Sequence, residues 1–308
     1  TQISSMTSES TTARVTLSHL DELWFQVTGT RCNLTCNHCF ISCSPHNNSF
    51  GFLSRTEIQK SLEESKQLGV KGYYFTGGEP FLHPEMVEIL EDTLKIGPAT
   101  VLTNATVLKD EWLQRLQQAQ SESRYSLEFR VSIDGFDAET NDPIRGEGTF
   151  ARAIRGVKKL VHTGFLPIIT ATRTWKDSED SSMLSEFLSM LKQQGYSQPR
   201  IKLLPTLKLG AEQNRSGGYT DQQRVTGEML QDYDRSQLVC EHSRIVTTRG
   251  VHVCPILIES PDALLSNDLA TAAQKPYTLG HGACFTCYQY GAICSNISTG
   301  SGPSGASS

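Results

Sequence analysis

Between residues 23 and 204 short apolar runs alternate with amphipathic stretches, and the alternation repeats six times. The runs at 23–27, 73–75, 100–102, 127–133, 168–172 and 201–204 favour β-branched, aromatic and aliphatic residues and predict strands. A helix is predicted from Ser54, which stands in capping-box spacing with Glu57, to Gly69. Further helices are predicted around 84–94, 110–120, 149–164, 182–194 and 221–234, with Ile154, Val157, Leu160 and Val161 on one face of the fourth and Phe187 and Leu191 among the buried residues of the fifth. Strands joined in series by helices lie parallel with right-handed crossovers, so the order predicts an α/β barrel or an open doubly wound sheet. Periodicity leaves both open.

A chain of 308 residues has room for two domains, or for one barrel with an appendix. No run of about 18 apolar residues occurs, and residues 1–10 lack the basic-then-apolar order of an export signal, so no membrane partner is expected and a cytoplasmic location is. The net charge of -5 gives no reason to expect nucleic acid. Nine cysteines without an export signal turn attention from disulfides to metal or redox chemistry. Residues 1–20 and 297–308 are expected as frayed Ser-rich tails, 21–237 as the core domain, and 238–296, too poor in apolar residues to hold itself, as a stapled extension.

Cys32, Cys36 and Cys39 fall in the loop after the first strand, where α/β enzymes place their chemistry. A zinc site and simply buried cysteines are the plainer readings. Three thiolates on a four-iron cluster would leave one iron open, and an open position means chemistry. The segment Cys32-Asn33-Leu34-Thr35-Cys36-Asn37-His38-Cys39-Phe40 resembles the signature loop of the radical S-adenosylmethionine (radical SAM) superfamily. Further pieces follow in that family's order: Thr76-Gly77-Gly78-Glu79-Pro80, Thr103-Asn104-Ala105-Thr106 with Ala105 where the family has Gly, Ser132-Ile133-Asp134-Gly135, and then Asp142, Arg145 and Gly148-Thr149-Phe150.

That resemblance spans about residues 23–207 and implies a partial (β/α)6, TIM-like barrel with a 4Fe-4S cluster on Cys32, Cys36 and Cys39. It further implies that Phe40, Thr76, Gly77, Gly78, Glu79, Asn104, Ser132, Arg145 and Leu204 hold SAM, with the Glu79 carboxylate receiving the methionine ammonium group and Phe40 and Leu204 packing the adenine.

A second series, Cys240, Cys254, Cys284, Cys287 and Cys294, has thirteen, twenty-nine, two and six intervening residues. The Cys284-Phe285-Thr286-Cys287 clamp suits two ligands on one metal, and zinc competes with iron. The layout is similar to the SPASM or shorter twitch extension of radical SAM enzymes and implies one auxiliary 4Fe-4S cluster, most simply on Cys240, Cys254, Cys284 and Cys287. Cys43 and Cys294 are then spare, with Cys294 an alternative ligand. No histidine is assigned a role.

The resemblance implies reductive cleavage of SAM to a 5'-deoxyadenosyl radical and hydrogen abstraction from a substrate, with an electron donor of flavodoxin or ferredoxin type. Oxidation assisted by the auxiliary cluster is favoured over epimerisation by a spare cysteine. The short stretch before the first strand favours a small molecule, sugar-like or a natural-product intermediate, over a ribosomal peptide. A non-catalytic iron-sulfur or zinc protein is the reading from another class.

Overall fold

The computed structural model describes residues 12–291 and 293–296, so the tails expected at 1–11 and 297–308 lie outside the described residues. The chain opens with β1 (Arg14–Val15), β2 (Glu22–Gln26), α1 (Arg55–Gln67), β3 (Gly72–Thr76), α2 (Met86–Thr93), β4 (Ala99–Thr103) and α3 (Asp110–Glu122). It continues with β5 (Leu127–Ser132), α4 (Ala138–Arg145), α5 (Thr149–His162), β6 (Ile168–Thr172), α6 (Asp180–Gln193), β7 (Arg200–Leu204) and α7 (Gly210–Ser216). Strands β2 to β7 pair in chain order and in parallel, with Phe25 opposite Phe75 and Val101 opposite Phe129.

Alternation along these strands divides the molecule into two apolar layers. Leu23, Phe25, Tyr73, Phe75, Val101, Phe129 and Val131 join the large core that includes Ile58, Leu62, Leu90, Leu113, Val157 and Leu160 of the helices. Their neighbours Trp24, Tyr74 and Leu102 belong to a second layer with Cys32, Cys36, Cys39 and Phe40. The same inward parity includes Arg130, Ser132, Thr170, Thr172 and Leu204, so a period of two in the sequence selects the residues available to a central cavity.

The C-terminal region adds β8 (Ser243–Thr247), β9 (Gly250–His252), β10 (Leu264–Ser266), α8 (Leu269–Gln274), β11 (Tyr277–Thr278) and α9 (Gly282–Tyr290). β8 lies parallel to β2, with Ile245 opposite Trp24, and β9 and β10 follow antiparallel. The resulting order β10-β9-β8-β2-β3-β4-β5-β6-β7 keeps β7 and β10 as edges, which is the unclosed α/β arrangement of a partial barrel. The sheet runs without a break across position 238.

Two expectations need correction. No helix covers 221–234, where a single 3-10 turn spans Glu228–Leu230; that stretch lacks the apolar stripe that would bury a helix, and α7 precedes it instead. Residues 12–20 are no frayed tail, because β1 pairs with β11 and Ala13, Val15 and Leu20 are buried. Ser295 and Asn296, which follow the cysteine series, are held inside the sheet by Lys202 Nζ, which donates to the Ser295 hydroxyl at 3.2 Å, and by Asn296 Nδ2, which donates to Thr100 Oγ1 at 2.9 Å.

Candidate active site

The loop from β2 to α1 carries Cys32, Cys36 and Cys39, and its shape is fixed by partners from three other elements. The last carbonyls of α4 have no acceptor role within the helix and are taken by this loop. Asn37 donates its backbone N–H to Ile144 O at 2.8 Å and Nδ2 to Pro143 O at 2.8 Å, and Cys36 Sγ lies 3.9 Å from Arg145 O. The turn after β3 approaches from the other side. A Cβ on Gly78 would stand 2.1 Å from Arg31 O and 2.7 Å from Cys32 Cβ, so only glycine lets this turn lie against the cysteine loop.

One cavity of about 250 Å³ is lined by all three thiols together with Phe40, Thr76, Gly77, Gly78, Asn104, Ser132, Arg145 and Leu204. The donor set fits a 4Fe-4S cluster. Three thiols face one space, and backbone amides are already directed at the sulfurs, Leu34 N to Cys32 Sγ at 3.4 Å and Cys43 N to Cys39 Sγ at 3.3 Å. Burial pushes the Cys32 thiol up to about 12 and raises Cys36 as well, while the Cys43 thiol beside it pulls Cys39 below the ordinary thiol range. Metal ligation by the first two therefore displaces a proton from each at neutral pH.

Glu79 follows the Gly77-Gly78 turn. Its side chain is fully buried and absent from the cavity lining. Its carboxylate accepts from Phe81 N at 3.0 Å, Thr103 Oγ1 at 2.7 Å and Asn104 N at 2.7 Å. These three donors tie the Gly77-Gly78 turn to the end of β4.

Arg145, expected at the cofactor, donates from Nη1 to Asp134 Oδ2 at 2.6 Å while lining the cavity. The same oxygen lies 2.7 Å from His38 Nε2, and Asp134 Oδ1 accepts from Thr172 N at 2.7 Å. Burial alone would raise the Asp134 carboxyl, but His38 and Arg145 hold it below the ordinary carboxylate range. His38 and Asp134 were missed as site residues. His38 lines the cavity and its Nδ1 is buried without a partner, and its place between Cys36 and Cys39 was the available signal.

Cys240, Cys254, Cys284 and Cys287 line a second, apolar cavity with Val253, Leu257 and Tyr277. Arg244, 1% exposed, donates to the carbonyls of Cys240, Ser243 and Ala272 at 2.8, 2.8 and 3.2 Å, and its charge acts on Cys240 and Cys254. A buried cation beside four thiols fits an anionic cluster there. Ile256 lines both cavities, so the two thiol sets back onto one short segment. Cys294 lines the main cavity and not the second one, while its charge acts on Cys287. Arg130 Nη1 of β5 donates to the Cys294 carbonyl at 2.8 Å.

An unclosed parallel sheet with three loop thiols over its inner face defines the class. The family model of the radical SAM superfamily matches residues 27–179, so the chain carries a radical SAM domain. That superfamily uses a 4Fe-4S cluster and SAM. The chain is similar to the antilisterial bacteriocin subtilosin biosynthesis protein AlbA of Bacillus subtilis, 33% identical over 44% of this chain and 29% of that protein. It is also similar to the GTP 3',8-cyclase of Tolumonas auensis, 31% identical over 58% of this chain and 52% of the cyclase. The chain thus spans about half, or less, of the length of these relatives. Among solved structures, SuiB of Streptococcus suis bound to S-adenosylmethionine superposes with a TM-score of 0.60 at 16% identity, over 80% of this chain and 63% of SuiB, a likeness of fold.

Proposed function

We propose that the chain is a radical SAM enzyme in which Cys32, Cys36 and Cys39 hold a 4Fe-4S cluster and the cavity beneath them receives SAM and the substrate. The observation that carries this reading is the convergence of the three thiols, Gly77, Gly78, Asn104, Ser132 and Arg145 on one space. When bound, the cluster and SAM supply one-electron cleavage of the sulfonium and a carbon radical that takes a hydrogen atom from an unactivated C–H bond. The chain's own residues orient and exclude water. Gly77 and Gly78 open backbone for the methionine moiety, Asn104 ties Asn33 Oδ1 to the β4 loop at 2.9 Å, and Phe40, Leu102 and Leu204 keep the adenosine side apolar.

We assign Cys240, Cys254, Cys284 and Cys287 to an auxiliary 4Fe-4S cluster, with Arg244 offsetting its charge. Its position behind Ile256 suits exchange of an electron with a substrate radical, which favours oxidation. A flavodoxin- or ferredoxin-type protein is the matching external donor. A small-molecule substrate is supported by the modest cavity, and a peptide side chain by the relative named for bacteriocin biosynthesis.

The test is anaerobic reconstitution followed by SAM and dithionite. 5'-Deoxyadenosine is expected from the wild type and not from Cys32→Ala, with about eight irons per chain before the substitution and about four after it. Zinc with no nucleoside product would overturn the reading in favour of a binding module. Deuterium passing into the deoxyadenosine from a labelled amino acid in a peptide, or from a labelled small molecule, separates the substrate classes.

A further inference from the structure

Arg130 has no part in holding the cluster, and its surroundings are unusual for a buried cation. It lies on β5 two residues before Ser132, so both side chains leave the strand on the inward face, and both line the main cavity. Arg130 is 3% exposed. Nη1 donates to Cys294 O at 2.8 Å, whereas Nε is buried and has no hydrogen-bond partner. Among the described residues no carboxylate forms an ion pair with it. Glu22, whose charge reaches it, is engaged by Trp24 Nε1 and Tyr74 Oη at 3.4 Å each and by His242 Nδ1 at 3.9 Å.

Arg244 shows what a structural arginine looks like in this protein: it is equally buried, and its guanidinium is distributed over the carbonyls of Cys240, Ser243, Ala272 and Lys275. Arg130 has one carbonyl and a bare Nε. Taking a guanidinium out of water without an anion costs several kcal/mol, roughly, and such a cost persists where a ligand offsets it. A second cation, Lys202 of β7, is pushed down to about 8 by burial and by Arg130 itself. The Nε edge of a guanidinium matches the two oxygens of a planar carboxylate.

We propose that Arg130 anchors a carboxylate of the substrate inside the main cavity, beside the Cys294 thiol. The inference rests on reading that cavity as the radical SAM site, and it names a chemical feature the substrate carries. The carboxylate of SAM is the competing source of the same chemistry.

The test uses the anaerobically reconstituted protein and a pair of alkylating probes that differ in charge, iodoacetate and iodoacetamide. In both reactions Cys294 Sγ forms an S–C bond, the C–I bond breaks with its electron pair leaving as iodide, and the thiol proton passes to buffer. The ratio of the two rates at Cys294, read by peptide mass spectrometry, cancels changes in thiol reactivity. Arg130→Gln is expected to lower the iodoacetate-to-iodoacetamide ratio about tenfold, and Arg130→Lys to keep most of it.

In the unsubstituted protein, acetate is expected to slow iodoacetate, with acetamide at equal ionic strength leaving it unchanged, and this arm needs no variant to fold. SAM affinity by equilibrium dialysis is expected to stay within about twofold in Arg130→Gln. An unchanged ratio, a Cys294 inert to both probes, no effect of acetate, or a tenfold loss of SAM affinity would each overturn the proposal. None of these readouts requires turnover, so a protein that fails to make deoxyadenosine while keeping the charge preference would contradict the functional reading alone.

Discussion

Ala105 holds a backbone φ of 59° in the turn after β4, a conformation that costs an L-residue about 1 kcal/mol and that glycine adopts freely. Room for its methyl group comes from Gly156 on α5, where a Cβ would stand 2.8 Å from Ala105 Cβ and 2.1 Å from Ala105 O. Ala105→Gly is therefore expected to raise the stability of the metal-free protein by about 0.5–1 kcal/mol in urea unfolding, with a loss of stability as the contrary result. Asp134 supplies a pH dependence with a definite sign. Its folded-state pKa lies below the ordinary carboxylate range despite burial, so the stability it contributes is fully present above its unfolded value of about 3.9 and is lost progressively as pH falls from there through the lower folded-state value. Urea midpoints measured between pH 6 and 3 should fall less steeply for Asp134→Asn than for the wild type; parallel profiles would refute this. The cysteines and paired glycines were legible in the sequence because their spacing carries their chemistry. The inward turn of Arg130, the buried hydrogen bonds of Glu79 and the His38–Asp134–Arg145 contact were not, since each depends on which neighbour a fold brings within about 3 Å.

At the level of elements, the six strands and most helices could be read from periodicity, because each buries an apolar face against the sheet. Helix α4 could not: it is eight residues long, mostly polar, and contains Pro143. Its start is set by a capping box between Asp137 and Thr140, and its exposed C-terminal carbonyls are what the cysteine loop is pinned to. Asn37→Ala removes the Nδ2 bond to Pro143 O and is expected to cost about 1 kcal/mol in the metal-free protein, seen as an earlier urea midpoint. An unchanged midpoint would mean that the loop holds its place without α4.

For the whole molecule, the C-terminal cysteine region was expected as an appendix, yet β8 completes the sheet beside β2 and β11 clasps β1. Sequence could not show this, since a short strand that pairs in parallel across some 220 residues leaves no local signature. Truncation after Gln237 would strip β2 of one neighbour and uncover Leu23, Trp24 and Phe25, so the fragment is expected to aggregate or elute as an expanded species in size-exclusion chromatography. A compact, monomeric fragment would argue that the sheet is self-sufficient. The same continuity places the second set of thiols against the cavity wall, and the central proposal is that a cluster held by Cys32, Cys36 and Cys39 would leave one iron open to SAM. Electron-nuclear double resonance of the reduced, reconstituted protein with SAM labelled with 15N at its amino group tests that point most directly. A strong 15N coupling, lost in Cys36→Ala, is the expected result; a fully reduced, iron-replete sample with no coupling would contradict it.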